Sequence, residues 1–169
     1  MNTMFSVYGP FNVPCYQGKA ARTISDDNVK NFWKQHPSMA QYKGCYVFGI
    51  RAGKGFTPGY AGKATRSFKN EAFGSHKLAR YQQFLADYQR GTPVIFFVVY
   101  PSKKGKVNVR HIEELETFLI QNGVRVNPDI MNVKGTKVAK WGIKGVLRCG
   151  KGKVSQGVNE FRRLLKLYS

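Results

Sequence analysis

Acidic side chains are scarce in this sequence. Its 169 residues include 9 aspartates and glutamates against 28 lysines and arginines, which gives a formal net charge of +19. Positive charge at this density repels itself in a compact protein unless a polyanion offsets it, so a merely solvated surface is the weaker interpretation. The imbalance instead predicts a folded surface that binds the phosphates of a nucleic acid.

Cysteine is also rare, and long apolar runs are missing. Cys15, Cys45 and Cys149 are odd in number and far apart. No two of them have the spacing of metal ligands, which argues against a zinc site. The sequence has neither a signal-peptide pattern nor an apolar stretch long enough to span a membrane. We therefore expect a cytoplasmic protein with reduced thiols and no membrane association.

The residues that are present suffice for a folded core. Hydrophobic residues make up 42% of the chain and aromatic residues 14%, which argues against wholesale disorder. We predict an α+β fold with a small central antiparallel β-sheet flanked by helices, and one structural domain overall. Residues 1–43 are expected to form an N-terminal arm and helix, residues 44–132 the core, and residues 133–169 a basic extension packed on the core.

A pair of strand signals organises this prediction. The short apolar stretches 45–50 and 59–62 predict two antiparallel strands, joined by a glycine-rich loop over residues 51–58. Because side chains alternate between the two faces of a strand, Tyr46 and Tyr60 are expected to lie close together on one face.

The remaining elements follow from hydrophobic periodicity and from turn residues. They are an extended arm or edge strand over residues 1–17, a helix from Ser25 to Gln35, a helical stretch over residues 67–90 interrupted at Gly74, a core strand over residues 94–100, a helix over residues 109–121 capped by Asn122-Gly123, and a last helix over residues 155–167.

The two strand signals also carry a motif. Gly44-Cys45-Tyr46 followed by Tyr60-Ala61-Gly62-Lys63 resembles the paired motif of the GIY-YIG nucleases. The resemblance covers residues 44–132 and includes the order of strands and helices. It implies a divergent member of that superfamily, a small antiparallel sheet with helices packed against it, and metal-dependent hydrolysis of phosphodiester bonds.

The resemblance implies roles for three residues in particular. Tyr46 would act as the general base or orient the attacking water, and Tyr60 would hydrogen-bond the water or a phosphate oxygen. Glu116 matches the family's glutamate and would hold Mg²⁺ or Mn²⁺, which need only one or two carboxylates beside water and substrate oxygens. An unperturbed phenol has a pKa of about 10, so a base role for Tyr46 requires positive charge nearby.

One position departs from the family pattern. Where the family carries an arginine on the first helix of the core, this chain has Asn70, which is not a cation. Lys77 with Tyr81 is the preferred replacement, because residues four apart share one face of a helix. His76 with Arg80 has the same spacing and is the second choice.

The other candidate residues shape the site or bind DNA. Gly44, Gly62 and Asn132 match structural positions of the family near the site. Residues 133–153 hold seven lysines and arginines and no acidic residue, the composition of a surface that follows a nucleic-acid backbone. The expected DNA-binding residues are Lys63, Arg80, Lys140, Trp141, Lys144, Arg148, Lys151 and Lys153.

These observations together predict a metal-dependent DNA endonuclease of the restriction type or of a phage or mobile element. Two alternatives stay open: a structure-specific nuclease of the repair type, and a non-catalytic nucleic-acid-binding protein with the same fold. RNA also stays open as a substrate. A symmetric cut through duplex DNA would need two active sites, so a homodimer on DNA is expected in that case.

Overall fold

A computed structural model describes residues 3–102, 105–137, 143–146 and 152–164. The chain divides into two compact units, Met1–Thr136 and Lys137–Ser169. The described elements of the first unit are β1 (Ser6–Asn12), β2 (Tyr16–Gln17), β3 (Arg22–Thr23), α1 (Asp26–Gln35), β4 (Gly44–Ala52), β5 (Gly55–Ala64), α2 (Phe68–Glu71), α3 (Ser75–Asp87), β6 (Thr92–Val99) and α4 (Val109–Val126). The described part of the second unit contains α5 (Gln156–Leu164).

Four strands form one antiparallel sheet in the order β1-β6-β4-β5. The predicted α+β fold with a central antiparallel sheet is therefore confirmed. The continuous apolar run became β6, which pairs with a strand on each side and is mostly buried. The predicted N-terminal arm became the edge strand β1, so this arm and the core share one sheet and one unit.

The predicted loop over residues 51–58 is wrong. Strand β4 continues to Ala52 and β5 begins at Gly55, so only a tight turn at Gly53 and Lys54 separates them. Pairing across the hairpin satisfies backbone groups that a loop would leave to water, and Gly53 supplies the positive φ of 59° that the turn requires. Pro58 is tolerated because it lies at a register shift on an edge strand.

Helix α1 confirms the predicted start. The Ser25 side chain accepts a hydrogen bond from the backbone N–H of Asn28, whose own side chain accepts one from the backbone N–H of Ser25. This reciprocal cap satisfies two amide groups at the helix end. Phe32 and Trp33 then bury one side of the helix against the sheet residue Phe97, so they are packing residues.

Two glycines were predicted to interrupt or end a helix, and only one of them does so. Gly74 does interrupt the helical stretch, as predicted, because it caps the start of α3. Asn122-Gly123, in contrast, does not end α4, which runs on to Val126. A Cβ built on Gly123 would lie 2.6 Å from Cδ1 of Ile130, so this glycine makes room for close packing inside a helix.

Helix α4 covers part of the opposite face of the sheet. Its residue Ile112 packs with Cys45 and Val98 in a second apolar cluster. No helix in the described part of the chain is long and apolar enough to cross a membrane.

The second unit is described only in part. Helix α5 has no buried residue, and Leu164 is 75% exposed. Within this unit, Gly145 lies against Val154 and Val158. Packing of the basic extension on the core stays a prediction.

Candidate functional site

The hairpin of β4 and β5 sets the positions of the two motif tyrosines. Tyr46 pairs with Gly62, and Tyr60 pairs with Phe48. The two tyrosines are therefore diagonal neighbours on one face of the sheet, as predicted. Their environments differ, because Tyr46 is fully buried whereas Tyr60 is partly exposed.

The Tyr46 hydroxyl is buried, and its hydrogen-bonding neighbour in the described part of the chain, the hydroxyl of Tyr81, is too distant for a well-formed hydrogen bond. Its ring lies against Gly62, where an added Cβ would be 2.5 Å from the hydroxyl oxygen. Burial raises the pKa of Tyr46, and the nearby Tyr60, Glu116 and Glu71 raise it further. The phenol therefore stays protonated at neutral pH, and no lysine or arginine among the described residues lowers its pKa.

Tyr81 packs beneath this pair of tyrosines. Its ring stacks on Phe48 at 4.2 Å and meets the edge of Tyr60 at 5.7 Å. The Tyr81 hydroxyl donates its proton to the carbonyl of Ala72 at 2.7 Å, and hydrogen bonding between the Tyr81 and Tyr46 hydroxyls opposes the rise in the pKa of Tyr46. Tyr81 is fully buried, so it holds the two motif tyrosines in place.

A cleft of about 540 Å³ opens beside Tyr60, between β5, α3, α4 and the segment that follows α4. Its lining brings together several of the predicted site residues. They are Tyr60, Lys63, His76, Arg80, Glu116 and Asn132, joined by Thr117, Ile120, Met131, Val133, Lys134 and Gly135. We call this the mixed-charge cleft, because it places cations around a carboxylate.

The mixed-charge cleft favours the second-choice cation pair over the first. His76 and Arg80 line it from successive turns of α3, whereas Lys77 is not among its lining residues. Tyr81, which was expected to act with Lys77, is buried in the core.

Glu116 is the only carboxylate among the described residues that line the cleft. Its Oε2 lies 3.3 Å from Nζ of Lys63, which also contacts Oε1 of Glu113 at 3.0 Å. Burial alone would lower the pKa of Lys63, but the hydrogen bond to Glu113 and the charge of Glu116 outweigh it and raise the pKa. Lys63 is therefore an ammonium held between two carboxylates of α4.

The described residues contain no cluster of three or more His, Cys, Asp or Glu side chains that could hold a metal ion. Glu116 alone could supply one oxygen ligand to a hard metal ion. A site with one carboxylate suits Mg²⁺ or Mn²⁺, which take their other ligands from water and substrate, and does not suit structural zinc. The side chain of Glu116 is 22% exposed, so it is accessible from the cleft.

The segment after α4 closes the outer edge of β5 and forms one wall of the cleft. The Asn132 side chain donates to the carbonyl of Ala61 at 2.7 Å and accepts from its N–H at 2.9 Å. The Asn127 side chain donates to the carbonyl of Pro58 at 2.7 Å. Asn132 therefore ties the chain near the site, as the family resemblance implied.

Sequence reasoning missed two residues here. Asn127 caps α4 and is buried on the edge of β5. Its contact with Pro58 is long-range, so no local sequence pattern predicts it. Lys134 lines the cleft, and its only signal was its place at the start of the basic run.

The other predicted residues fall elsewhere. Gly44 has a φ of 141° and lies so close to Val98 that a Cβ would collide with its carbonyl, so its role is structural. Lys144 and Lys153 are exposed in the second unit. The predicted contacts Lys140, Trp141, Arg148 and Lys151 lie outside the described residues.

Comparison with known proteins adds no relative. No family model, no curated protein and no solved structure matches the chain.

Proposed function

We propose that this chain is a metal-dependent endonuclease that hydrolyses phosphodiester bonds in DNA. The mixed-charge cleft carries the proposal, because one carboxylate, Glu116, faces it among the cations Lys63, Arg80 and Lys134. Cations alone would bind phosphate, but hydrolysis also needs a group that holds a metal or accepts a proton.

The cations of the cleft bind the substrate and stabilise the reaction. Arg80 offers a planar fork of N–H donors that matches two phosphate oxygens, and Lys134 adds a point charge. Both offset the negative charge that develops on the phosphate during attack by water. A Mg²⁺ bound by Glu116 would supply a Lewis acid at the same phosphate.

His76 and Tyr60 handle the proton of the attacking water. The imidazole of His76 lines the cleft and can accept this proton as a general base. Burial and the charge of Glu116 raise the pKa of Tyr60, while Arg80 opposes them. Tyr60 therefore acts as a neutral hydroxyl that orients the water or a phosphate oxygen.

Tyr46 acts as a neutral phenol, not as a base. Its raised pKa keeps the proton on the phenol, and its hydroxyl has no well-formed hydrogen bond within the described part of the chain. Tyr46 is fully buried and is not among the residues that line the mixed-charge cleft. We therefore assign it a positioning role beside Tyr60 and no contact with the substrate.

Lys63 controls access to Glu116. Without metal it forms ion pairs with both Glu116 and Glu113, so a metal ion would have to displace it from Glu116. Glu113 can then keep the ammonium in place beside the cleft, where it remains available to a phosphate. This competition is expected to make metal binding weak without DNA.

Incubation with supercoiled plasmid and Mg²⁺ tests the proposed activity. The native chain is expected to cut, and EDTA or Glu116→Gln is expected to stop it. Glu114→Gln is the matched control, because Glu114 pairs with Arg110 at 2.8 Å on an exposed part of the same helix. If Glu116→Gln cuts as well as the native chain, the carboxylate assignment is wrong.

Further substrates separate the remaining alternatives. Discrete fragments would indicate a restriction-type enzyme, and preference for forks, flaps or bubbles a repair-type enzyme. DNA binding without cleavage of any DNA or RNA would favour the non-catalytic protein. Light scattering of the protein bound to DNA tests whether it forms a homodimer there.

We also propose a cytoplasmic location. The free thiols of Cys15 and Cys45 agree with it, because the cytoplasm keeps thiols reduced.

A further inference from the structure

A second cleft, of about 380 Å³, lies between α1 and α2. Five residues line it, and three of them are lysines: Val29, Lys30, Trp33, Lys34 and Lys69. We call it the lysine cleft. None of its lining residues belongs to the mixed-charge cleft.

The three ammonium groups are carried by well-fixed backbone. Lys30 and Lys34 lie one turn apart on α1 and so share one face of that helix. The backbone N–H of Lys69 donates to the carbonyl of Ala40 at 3.0 Å, and that of Phe68 donates to Tyr42 at 2.8 Å. These bonds tie α2 to the segment after α1, so folding itself brings the third lysine to the other two.

The positive charge of the lysine cleft is almost uncompensated. In the described part of the chain no carboxylate lines it, and of its three lysines only Lys30 has an ion pair there, with Asp27 at 3.3 Å. Both side chains of that pair are highly exposed, at 72% and 91%, so the pair contributes little. Three like charges at one cleft repel one another unless an anion lies between them.

The floor of the cleft is apolar. Trp33 is 7% exposed and packs edge-on against Phe73 at 5.8 Å, which fixes the indole beneath the lysines. Val29 is partly buried beside it. A rim of cations over an apolar floor matches a sugar-phosphate backbone, in which charged phosphates alternate with less polar deoxyribose.

We propose that the lysine cleft binds the phosphodiester backbone of duplex DNA at a place separate from the mixed-charge cleft. Duplex DNA is favoured over an acidic peptide because the charge of +19 extends over the chain, and a polyanion of high, regular charge density is the partner that such a surface attracts. The proposal concerns binding and does not require that the chain hydrolyses DNA.

Salt dependence of DNA binding tests this assignment. Lys30→Gln/Lys34→Gln/Lys69→Gln is compared with Lys19→Gln/Lys54→Gln/Lys106→Gln, which removes three exposed lysines elsewhere in the same unit. Fluorescence anisotropy with a labelled duplex is measured in EDTA over a range of NaCl concentrations. Each phosphate contact contributes about 0.9 to the slope of log K against log salt, so the first variant is expected to lose about 2 to 3 from the slope.

The control variant is expected to keep most of the slope. Equal losses in the two variants would overturn the assignment, and so would an unchanged slope in the first. Because all six lysines are exposed, thermal unfolding is expected to be the same for both variants. The absence of metal makes the result independent of cleavage, so a chain that fails to cut still tests the lysine cleft.

Lysine acetylation read by mass spectrometry provides a direct second test. Duplex DNA is expected to protect Lys30, Lys34 and Lys69 from acetylation, and to leave Lys19 and Lys54 reactive. Poly-glutamate at the same charge concentration is the competing partner. Protection by poly-glutamate but not by DNA would overturn the proposal and point to an acidic protein instead.

Discussion

The mixed-charge cleft and the lysine cleft are two cationic depressions of one unit, but among the described residues a carboxylate lines only the first. In the first, Glu116 and Glu113 form ion pairs with Lys63, so part of the positive charge is already paired with carboxylates of the protein. In the second, the lysines face an apolar floor and have almost no acidic partner. Binding a phosphate needs only cations, whereas hydrolysing one needs cations and a carboxylate together.

Glu116→Gln is expected to have the largest effect, and it distinguishes the role of the mixed-charge cleft in cleavage from the role of the lysine cleft in binding. Cleavage should fall about 10³-fold, because the mixed-charge cleft loses the one carboxylate among its described lining residues. Affinity for DNA without metal should rise about threefold, because a negative charge near the phosphates is gone. Plasmid cleavage and anisotropy measure the two effects.

The lysine-cleft variant is expected to behave in the opposite way. Lys30→Gln/Lys34→Gln/Lys69→Gln should weaken DNA binding, and saturating enzyme should still cut at the native rate. If Glu116→Gln and the lysine variant change affinity in the same direction, the distinction between a cleaving and a binding cleft does not hold.

Arg80→Ala against Lys77→Ala gives the next largest effect. Arg80 lines the mixed-charge cleft and Lys77 does not, so only the first variant loses a phosphate contact. Single-turnover cleavage is expected to fall about 10²-fold for Arg80→Ala, as for removal of one donor to a developing charge. A larger loss for Lys77→Ala would restore the first choice made from the sequence.

The choice between these cations could have been made from the sequence. At about 100° per residue, Lys77 falls within the stripe of Tyr81, Phe84 and Leu85, which face the core. His76 and Arg80 lie to one side of that stripe. The spacing of a cation and a tyrosine in the family pattern therefore selected Lys77 and Tyr81, which face the core. The apolar stripe instead indicated His76 and Arg80 as the residues outside the core.

Local patterns predicted most of the scaffold. Ser25 predicted the start of α1, and Gly74 predicted the break before α3. The alternation of side chains along a strand predicted that Tyr46 and Tyr60 share one face of the sheet. The failures have tertiary causes. Gly123 looks like a helix end unless its contact with Ile130 is known.

The residues that line the mixed-charge cleft are also determined by tertiary contacts. Asn127 reaches Pro58 and Asn132 reaches Ala61 across about 70 residues of sequence. These contacts determine that the segment after α4 forms a cleft wall, and they bring Lys134 to it. Neither helical nor strand periodicity carries that information.

Gly62→Ala is expected to have an intermediate effect. The new methyl group would overlap the Tyr46 ring, whose hydroxyl and Cζ lie 2.5 and 2.6 Å from the Cβ position. Displacing a residue at the site by about 1 Å can cost up to about 10²-fold in rate, so a loss of about 10- to 10²-fold is expected. Overpacking should also lower the free energy of unfolding by about 1 to 3 kcal/mol.

Gly55→Ala on the same strand is the matched control for this substitution. Its Cβ would meet only the carbonyl of Ala52, at 3.7 Å. Denaturant unfolding and cleavage should both stay close to native. If Gly55→Ala and Gly62→Ala lower cleavage equally, strand propensity and not the position of Tyr46 is responsible.

Tyr46→Phe is expected to have the smallest effect, and it distinguishes a buried neutral phenol from a base. Removing a buried hydroxyl that has no well-formed hydrogen bond should raise the free energy of unfolding by about 1 kcal/mol, as measured by urea denaturation. Because the hydroxyl does not line the mixed-charge cleft, cleavage should stay within about fivefold of the native rate, which corresponds to about 1 kcal/mol. A general base would instead cost about 10² to 10⁴-fold and would remove a limb of the pH–rate profile. Such a loss would show that Tyr46 is ionised in the reaction, and that a bound metal ion supplies the positive charge that the described residues around the phenol do not provide.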